Sequence, residues 1–235
     1  MEELLRGPGA LGDQVTAVRA ALAAASGQQP DDVELRVAAS MTQLGLAGRL
    51  ICPALGVAVL CGGLLEVNPT RMRWQPGPGG AVALSVDTDT VTAATGTAAA
   101  IGSLAAAGTA ADPVALADAL AATVLAGPVR ALVEVSRQFA VSPQVLWGNV
   151  ASVVNGARGL IGAAEPELLG RAEAIVARLL DQPPLGATHQ GSSSATGFRR
   201  RTCCLVYRLV AAQAPVCGDC VLDRAPLATS RRPVS

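Results

Sequence analysis

Apolar positions recur along most of this chain at helical spacing, and polar or breaking residues mark where each run starts and stops. Val15, Val18, Leu22 and Ala25 share one face of a run that opens at Asp13. Val33, Val37, Met41, Leu44 and Gly48 repeat the rhythm behind Asp31 and Asp32, two suitable N-caps. Cys52-Pro53 predicts a break or kink, followed by a short buried helix to about Glu66 and a stop at Asn68-Pro69. Three later helices are announced by proline at their first position: Asp112-Pro113, Ser142-Pro143 and Glu165-Pro166. Leu116, Leu120 and Val124 line the first, which Gly127-Pro128 ends before another runs toward Phe139. Leu146, Val150 and Val154 lie on the next, and Ala172, Ile175, Val176, Leu179 and Leu180 on the last. Only residues 71–86 depart from this pattern. Arg71 to Trp74 and Ala81 to Val86, around the turn-rich Gln75 to Gly80, predict a β-hairpin with a longer loop.

The expected fold is therefore mainly α. It comprises a helical body with one β-hairpin (α+β) over 1–182 and a flexible linker, PPLGATHQGSSSATG, over 183–197. A small cysteine-rich module over 198–224 and a tail over 225–235 complete it. Composition narrows the interior. Aromatics are only 2% of the 235 residues, so the 51% hydrophobic content is small and aliphatic and suits close helix packing. All 18 basic residues are arginine, which excludes a Schiff-base or P-loop lysine mechanism. Zero formal charge gives no reason to expect nucleic acid as a partner.

Two uncharged stretches bear on membranes. Leu50 to Leu65 is shorter than the roughly 20 residues that a spanning helix needs. Thr90 to Ala111 is long enough, but its Ala, Gly and Thr are too weakly apolar to insert. No transmembrane span is expected. The N-terminal MEELLRGPGALGDQ carries charge from the start and predicts no signal peptide, hence a cytoplasmic location. Peripheral contact with the inner face of the cytoplasmic membrane stays open. Gly7 to Gly12 matches G-x-G-x-x-G, but no strand precedes it, so no bound NAD(P) or flavin is expected. Gly191-Ser192-Ser193-Ser194 has no nucleophile-elbow context.

The chemistry gathers at the C-terminal end. Cys203, Cys204, Cys217 and Cys220 form C-C-x12-C-x2-C, a spacing that suits thiolate ligation of a metal better than disulfides in a reducing compartment. Zinc and an iron–sulfur cluster both accept four thiolates. Successive side chains in extended backbone point to opposite sides, so adjacent cysteines fit one tetrahedral ion awkwardly. A binuclear cluster eases that constraint, and structural zinc remains the alternative.

This segment resembles the C-terminal [2Fe-2S] module of FhuF-type ferric siderophore reductases. The matching positions are Arg200, Arg201, Cys203, Cys204, Tyr207, Arg208, Cys217, Gly218, Asp219 and Cys220. Ala47 to Pro53, the Arg73-Trp74 hairpin and Leu146-Trp147-Gly148-Asn149 also look like that family. One departure is the twelve-residue spacer, where ten is usual; two more residues in a loop cost well under about 1 kcal/mol. The resemblance implies a [2Fe-2S] cluster held by the four cysteines, a ferric siderophore as substrate and a separate electron donor. It also implies one-electron reduction of Fe(III) so that weakly held Fe(II) is released. A non-enzymatic electron carrier or redox sensor, or a siderophore-binding relative without reductase activity, is the competing reading.

The last 38 residues hold seven arginines against Asp219 and Asp223, so the zero net charge hides a basic end of +5. Arg199, Arg200, Arg201 and Arg208 could balance a cluster's charge, contact the siderophore or dock an acidic donor; a solvated basic surface is the bland counterpart. Tyr207 and Trp147 are candidates to shield the cluster or border a siderophore, against a plain role in packing. Asn149, Ser152 and Asn155 share a helical face, for which capping or interhelix hydrogen bonds are the expectation. Cys52 and Cys61 read as buried small hydrophobes, and His189 as an exposed loop residue.

Overall fold

The computed structural model describes residues 1–86, 91–93, 111–191, 197–209 and 217–222. Most of the stretch Thr90 to Ala111, Ser192 to Ser194, Asp223, much of the spacer between the cysteine pairs and the tail 225–235 lie outside the described residues.

Among the described residues seven α-helices make the body: α1 (Glu2–Arg6), α2 (Pro8–Ser26), α3 (Leu35–Cys61), α4 (Pro113–Leu120), α5 (Arg130–Ser136), α6 (Pro143–Ala164) and α7 (Leu169–Asp181). Two of the three proline-led starts are met atom by atom, while Pro166 opens a 3-10 turn, Pro166–Leu168, that leads into α7. Asp112 caps α4 by accepting from the Val114 and Ala115 N–H groups at 3.1 and 3.4 Å, and Ser142 caps α6 through the Val145 N–H at 3.3 Å. The Gly7 to Gly12 passage lies at the start of α2, in helix rather than after a strand.

α3 is the central rod, packed along α6 on one side and α2 on another. The break expected at Pro53 does not occur: α3 continues through it to Cys61. An interior proline costs about 3 kcal/mol of helix. Here Leu50, Ile51, Ala54, Leu55, Ala58 and Val59 are all buried around it, so packing keeps the helix continuous across the missing hydrogen bond. Gly62, at φ 62°, then supplies the left-handed residue that ends the helix. Between α4 and α5 the expected Gly127-Pro128 stop is a π-helical stretch, Ala121–Val129, with its irregular residue at Gly127.

The hairpin is present as β2 (Arg73–Pro76) paired antiparallel with β3 (Val82–Ser85), Trp74 opposite Leu84. It is fixed to the body by Arg49, whose Nε donates to the Val82 carbonyl, and by Gln14, whose amide donates to the Gly80 carbonyl. A second pair was not anticipated: β1 (Gly63–Leu65) pairs with β4 (Val91–Ala93). Its three-residue strands are too short to leave an alternating pattern in the sequence.

Among the described residues two helical segments, Leu35–Cys61 and Pro113–Phe139, are long and apolar enough to cross a membrane by composition, with mean hydropathy of 1.9 and 1.5. Half of each window is buried inside the body, as for core helices. α3 also carries Ser40, Thr42 and Gln43 buried near its N-terminal end.

The segment expected to be an unstructured connector carries structure of its own. Leu185–Ala187 forms a 3-10 turn, and β5 (His189–Gln190) pairs antiparallel with β6 (Arg199–Arg200). His189 is buried rather than exposed. Its ring stacks on Phe198 with centroids 5.1 Å apart, and its Nδ1 lies 3.2 Å from the Leu185 carbonyl. β6 leads straight into the cysteines.

Candidate metal centre

Cys203 and Cys204 follow β6, and the chain then turns on Leu205, at φ 72° in the left-handed region. That turn aims the Leu205 N–H at Cys203 Sγ, 3.4 Å away. The short 3-10 stretch Val206–Leu209 follows. Leu209 is buried, clustered with Ala23, Val33 and Val37, which seats this turn against α2 and the start of α3. At the other cysteine pair the Cys220 N–H closes on the Cys217 carbonyl at 2.9 Å, and the Leu222 N–H points at Cys220 Sγ at 3.4 Å.

The four sulfurs meet in two pairs. Cys204 Sγ lies 4.0 Å from Cys217 Sγ, and Cys203 Sγ lies 4.0 Å from Cys220 Sγ. Two thiolates on one tetrahedral metal, each at about 2.3 Å from it, stand about 3.8 Å apart. Each pair thus has the span of two ligands of one metal, and the adjacent Cys203 and Cys204 also hydrogen-bond to each other. All four are free thiols. They also hold each other's protons: the Cys204 thiol is pushed far down by hydrogen bonds from Cys203 and Cys217, with the nearby Arg200 charge adding to the effect. Cys203 and Cys217 are pushed up, each first by its hydrogen bond to Cys204 and then by burial. Metal ligation requires these thiols to lose their protons, and the hydrogen bonds to Cys204 favour that loss at its sulfur. The donor set and its pairing fit a two-iron group.

The helical body holds this segment through polar groups. Ser40 Oγ donates to the Cys204 carbonyl at 2.9 Å in a buried position. Asn149 Nδ2 lies 3.0 Å from Ser40 Oγ, 3.1 Å from the Ser40 carbonyl and 3.0 Å from Gln43 Oε1. Asn149 Oδ1 accepts from Arg200 Nη2 at 2.5 Å. On the far cysteine pair, Ser152 Oγ donates to the Asp219 carboxylate, and the Arg200 N–H donates to the Asp219 carbonyl at 2.9 Å. Gly148 makes room: a Cβ there would stand 2.4 Å from Thr202 Oγ1 and 3.5 Å from Arg200 Nη2.

The arginines of the basic segment divide sharply. Arg200 is 1% exposed. Arg199, Arg201 and Arg208 are exposed. Arg201 Nε donates to the His189 carbonyl at 2.8 Å, and Arg208 pairs with Glu34 at 2.6 Å, its guanidinium 6.0 Å from the Tyr207 ring centre. Trp147, half-buried, lines a cavity of about 250 Å³ with Pro143, Gln144, Pro184, Arg201 and Thr202. Cys61 is buried, and Cys52 lines a separate apolar cavity with Leu60 and Leu160, where burial pushes its thiol up.

Sequence reasoning placed Asn149, Ser152 and Asn155 on one helical face and expected capping or interhelix bonds there. Asn149 makes them to Ser40 and Gln43 of α3, Ser152 instead bonds Asp219 of the cysteine segment, and the buried Asn155 Oδ1 has no partner among the described residues. It missed Ser40, Gln43 and Glu34. Their signal was faint, since single polar residues in an apolar helix do not announce what they face.

The family model described as the FhuF 2Fe-2S C-terminal domain matches residues 200–222, about a tenth of the chain. No curated protein and no solved structure matches the chain. The match spans both cysteine pairs together with Arg200 and Asp219. Residues 200–222 are thus a C-terminal 2Fe-2S domain of the FhuF type, mounted on a helical body.

Proposed function

We propose that the chain is a [2Fe-2S] ferric-siderophore reductase that passes one electron to Fe(III) held by a siderophore and so releases Fe(II) for iron assimilation. Hard oxygen donors hold Fe(III) far better than Fe(II), so adding one electron unlocks the metal. The observation that carries the reading is the arrangement of four free thiols as two 4.0 Å pairs within the FhuF-type segment. Cys203, Cys204, Cys217 and Cys220 would hold the cluster, with the 203–220 and 204–217 pairs each spaced to serve one iron. When bound, the cluster supplies a one-electron store near the protein surface.

The other residues take roles from where they sit. Ser40 and Ser152 fix the two arms of the cysteine segment to α3 and α6. Arg199 and Arg201 give the outside of the segment a positive face toward an anionic siderophore or an acidic electron donor. The cavity between Trp147 and Arg201, with an apolar wall and one cation, suits the edge of a chelate. The electron donor is a separate protein or reductant. Unpaired cysteines suit a reducing compartment, so we place the protein in the cytoplasm, with the inner face of its membrane as an additional site of contact.

The test is an anaerobic single turnover. Protein reduced with dithionite and desalted is mixed with a ferric trihydroxamate in the presence of a coloured Fe(II) chelator. The reading expects about one Fe(II) trapped per chain and return of the oxidised absorption. Absence of Fe(II) from a fully reduced protein would overturn the reductase and leave an electron carrier or sensor.

A further inference from the structure

Arg200 differs in kind from its arginine neighbours. It is 1% exposed, and its guanidinium is anchored to Asn149 Oδ1. Its Nε is buried with no partner, and no carboxylate pairs with it among the described residues. The Asp219 carboxylate accepts from Ser152, and only the Asp219 carbonyl accepts from Arg200, from its backbone N–H. A buried cation without an anion is costly unless something nearby supplies negative charge. Two hydrogen-bond routes connect Arg200 to the backbone around the thiols. Asn149 and Ser40 link its guanidinium to the Cys204 carbonyl, and its own N–H binds the carbonyl of Asp219, next to Cys220. It is tied to both arms of the four-cysteine segment, to Asp219 directly and to Cys204 through Asn149 and Ser40.

We propose that Arg200 is the internal counter-charge of this centre and sets its reduction potential, with Asn149, Ser40 and Gln43 positioning the guanidinium. This rests on the cluster reading above. Adding one electron to a group held by four thiolates adds one negative charge, so a fixed buried cation favours the reduced form. Low local polarity makes that effect larger than the effect of the exposed arginines, which water and salt screen. The neutral anchor matters for the same reason. An Asn oxygen orients the guanidinium without cancelling its charge, where an aspartate would neutralise it.

The test is a spectroelectrochemical titration of the purified full chain, with iron and sulfide content measured on each sample. Arg200→Gln is expected to shift the one-electron equilibrium at least tenfold toward the oxidised form, a fall of about 59 mV. Arg200→Lys, which keeps a charge, should recover most of that shift, and Arg208→Gln, an exposed change, should move it less than threefold. Asn149→Asp serves as the second variant, since it leaves Arg200 in place but neutralised, and it should lower the potential in the same direction. An unchanged potential in either variant with full iron and sulfide overturns the proposal. So does loss of the cluster in both variants, because Arg200 would then serve assembly and not potential. Wild-type protein that binds zinc without sulfide would instead defeat the cluster reading itself, whatever the variants do.

Discussion

A methyl group at Gly148 would push against Thr202 Oγ1, which donates to the Gln144 carbonyl at 3.1 Å. Thr202 can rotate away, but only by giving up that bond. In this helix interior alanine also gains roughly 0.5–1 kcal/mol over glycine, about what the lost bond costs, so Gly148→Ala is expected to leave the denaturant midpoint of the metal-free protein near that of wild type. A midpoint lowered by the equivalent of about 2 kcal/mol or more would mean that Thr202 cannot give way. Ser40 is a stronger case, because its hydroxyl serves both the Cys204 carbonyl and the Asn149 amide inside the body. Ser40→Ala should cost about 1–3 kcal/mol and speed loss of iron to a chelator, since it leaves a buried acceptor unpaired. An unaltered rate of iron loss would separate Ser40 from the centre. At this scale the four cysteines were legible, because type and spacing alone carry metal chemistry. Arg200 was not distinguishable from Arg199 and Arg201. Burial is a property of the register of β6 and of the space left at Gly148, which no linear motif records.

Among elements, α3 shows how tertiary packing overrides a local signal: its Pro53 predicts an interruption that the buried residues around it prevent. The N-terminal caps at Asp112 and Ser142 were readable because a cap is satisfied within three residues of itself. The pairing of β1 with β4 and of β5 with β6 was not, since each strand is two or three residues long and its partner lies outside the local pattern. Glu34, just before α3, ties that helix to the cysteine segment by its ion pair with Arg208. Burial opposes the Glu34 charge, but hydrogen bonds from Arg208 and Arg36 outweigh it and hold the carboxyl below its ordinary value of about 4.5. A depressed folded value means that the contribution is fully present above the unfolded value and is lost as pH falls through the folded one. The pair is partly exposed, so it is worth on the order of 0.5 kcal/mol. Stability of wild type should thus fall more than that of Glu34→Gln as pH drops below about 4.5, with the two curves converging. Curves that stay parallel would remove this tie from the account.

The whole molecule is a helical frame with its chemistry at one edge. The N-terminal part of α3 and the N-terminal half of α6 supply Ser40, Gln43, Asn149 and Ser152, and the cysteine segment lies across them. The formal charge of zero conceals a basic end whose arginines have separate duties: one buried cation, one in an ion pair with Glu34, and exposed ones on the segment's outer side. The central claim is that these four cysteines hold two irons in two pairs. Its most direct measurement is the iron, zinc and acid-labile sulfide content of anaerobically purified protein, taken together with its optical spectrum. The account predicts red-brown protein with iron and sulfide in equal amounts, about two of each per chain, and loss of both in Cys204→Ser. One zinc per chain with no sulfide and no visible absorption would contradict it.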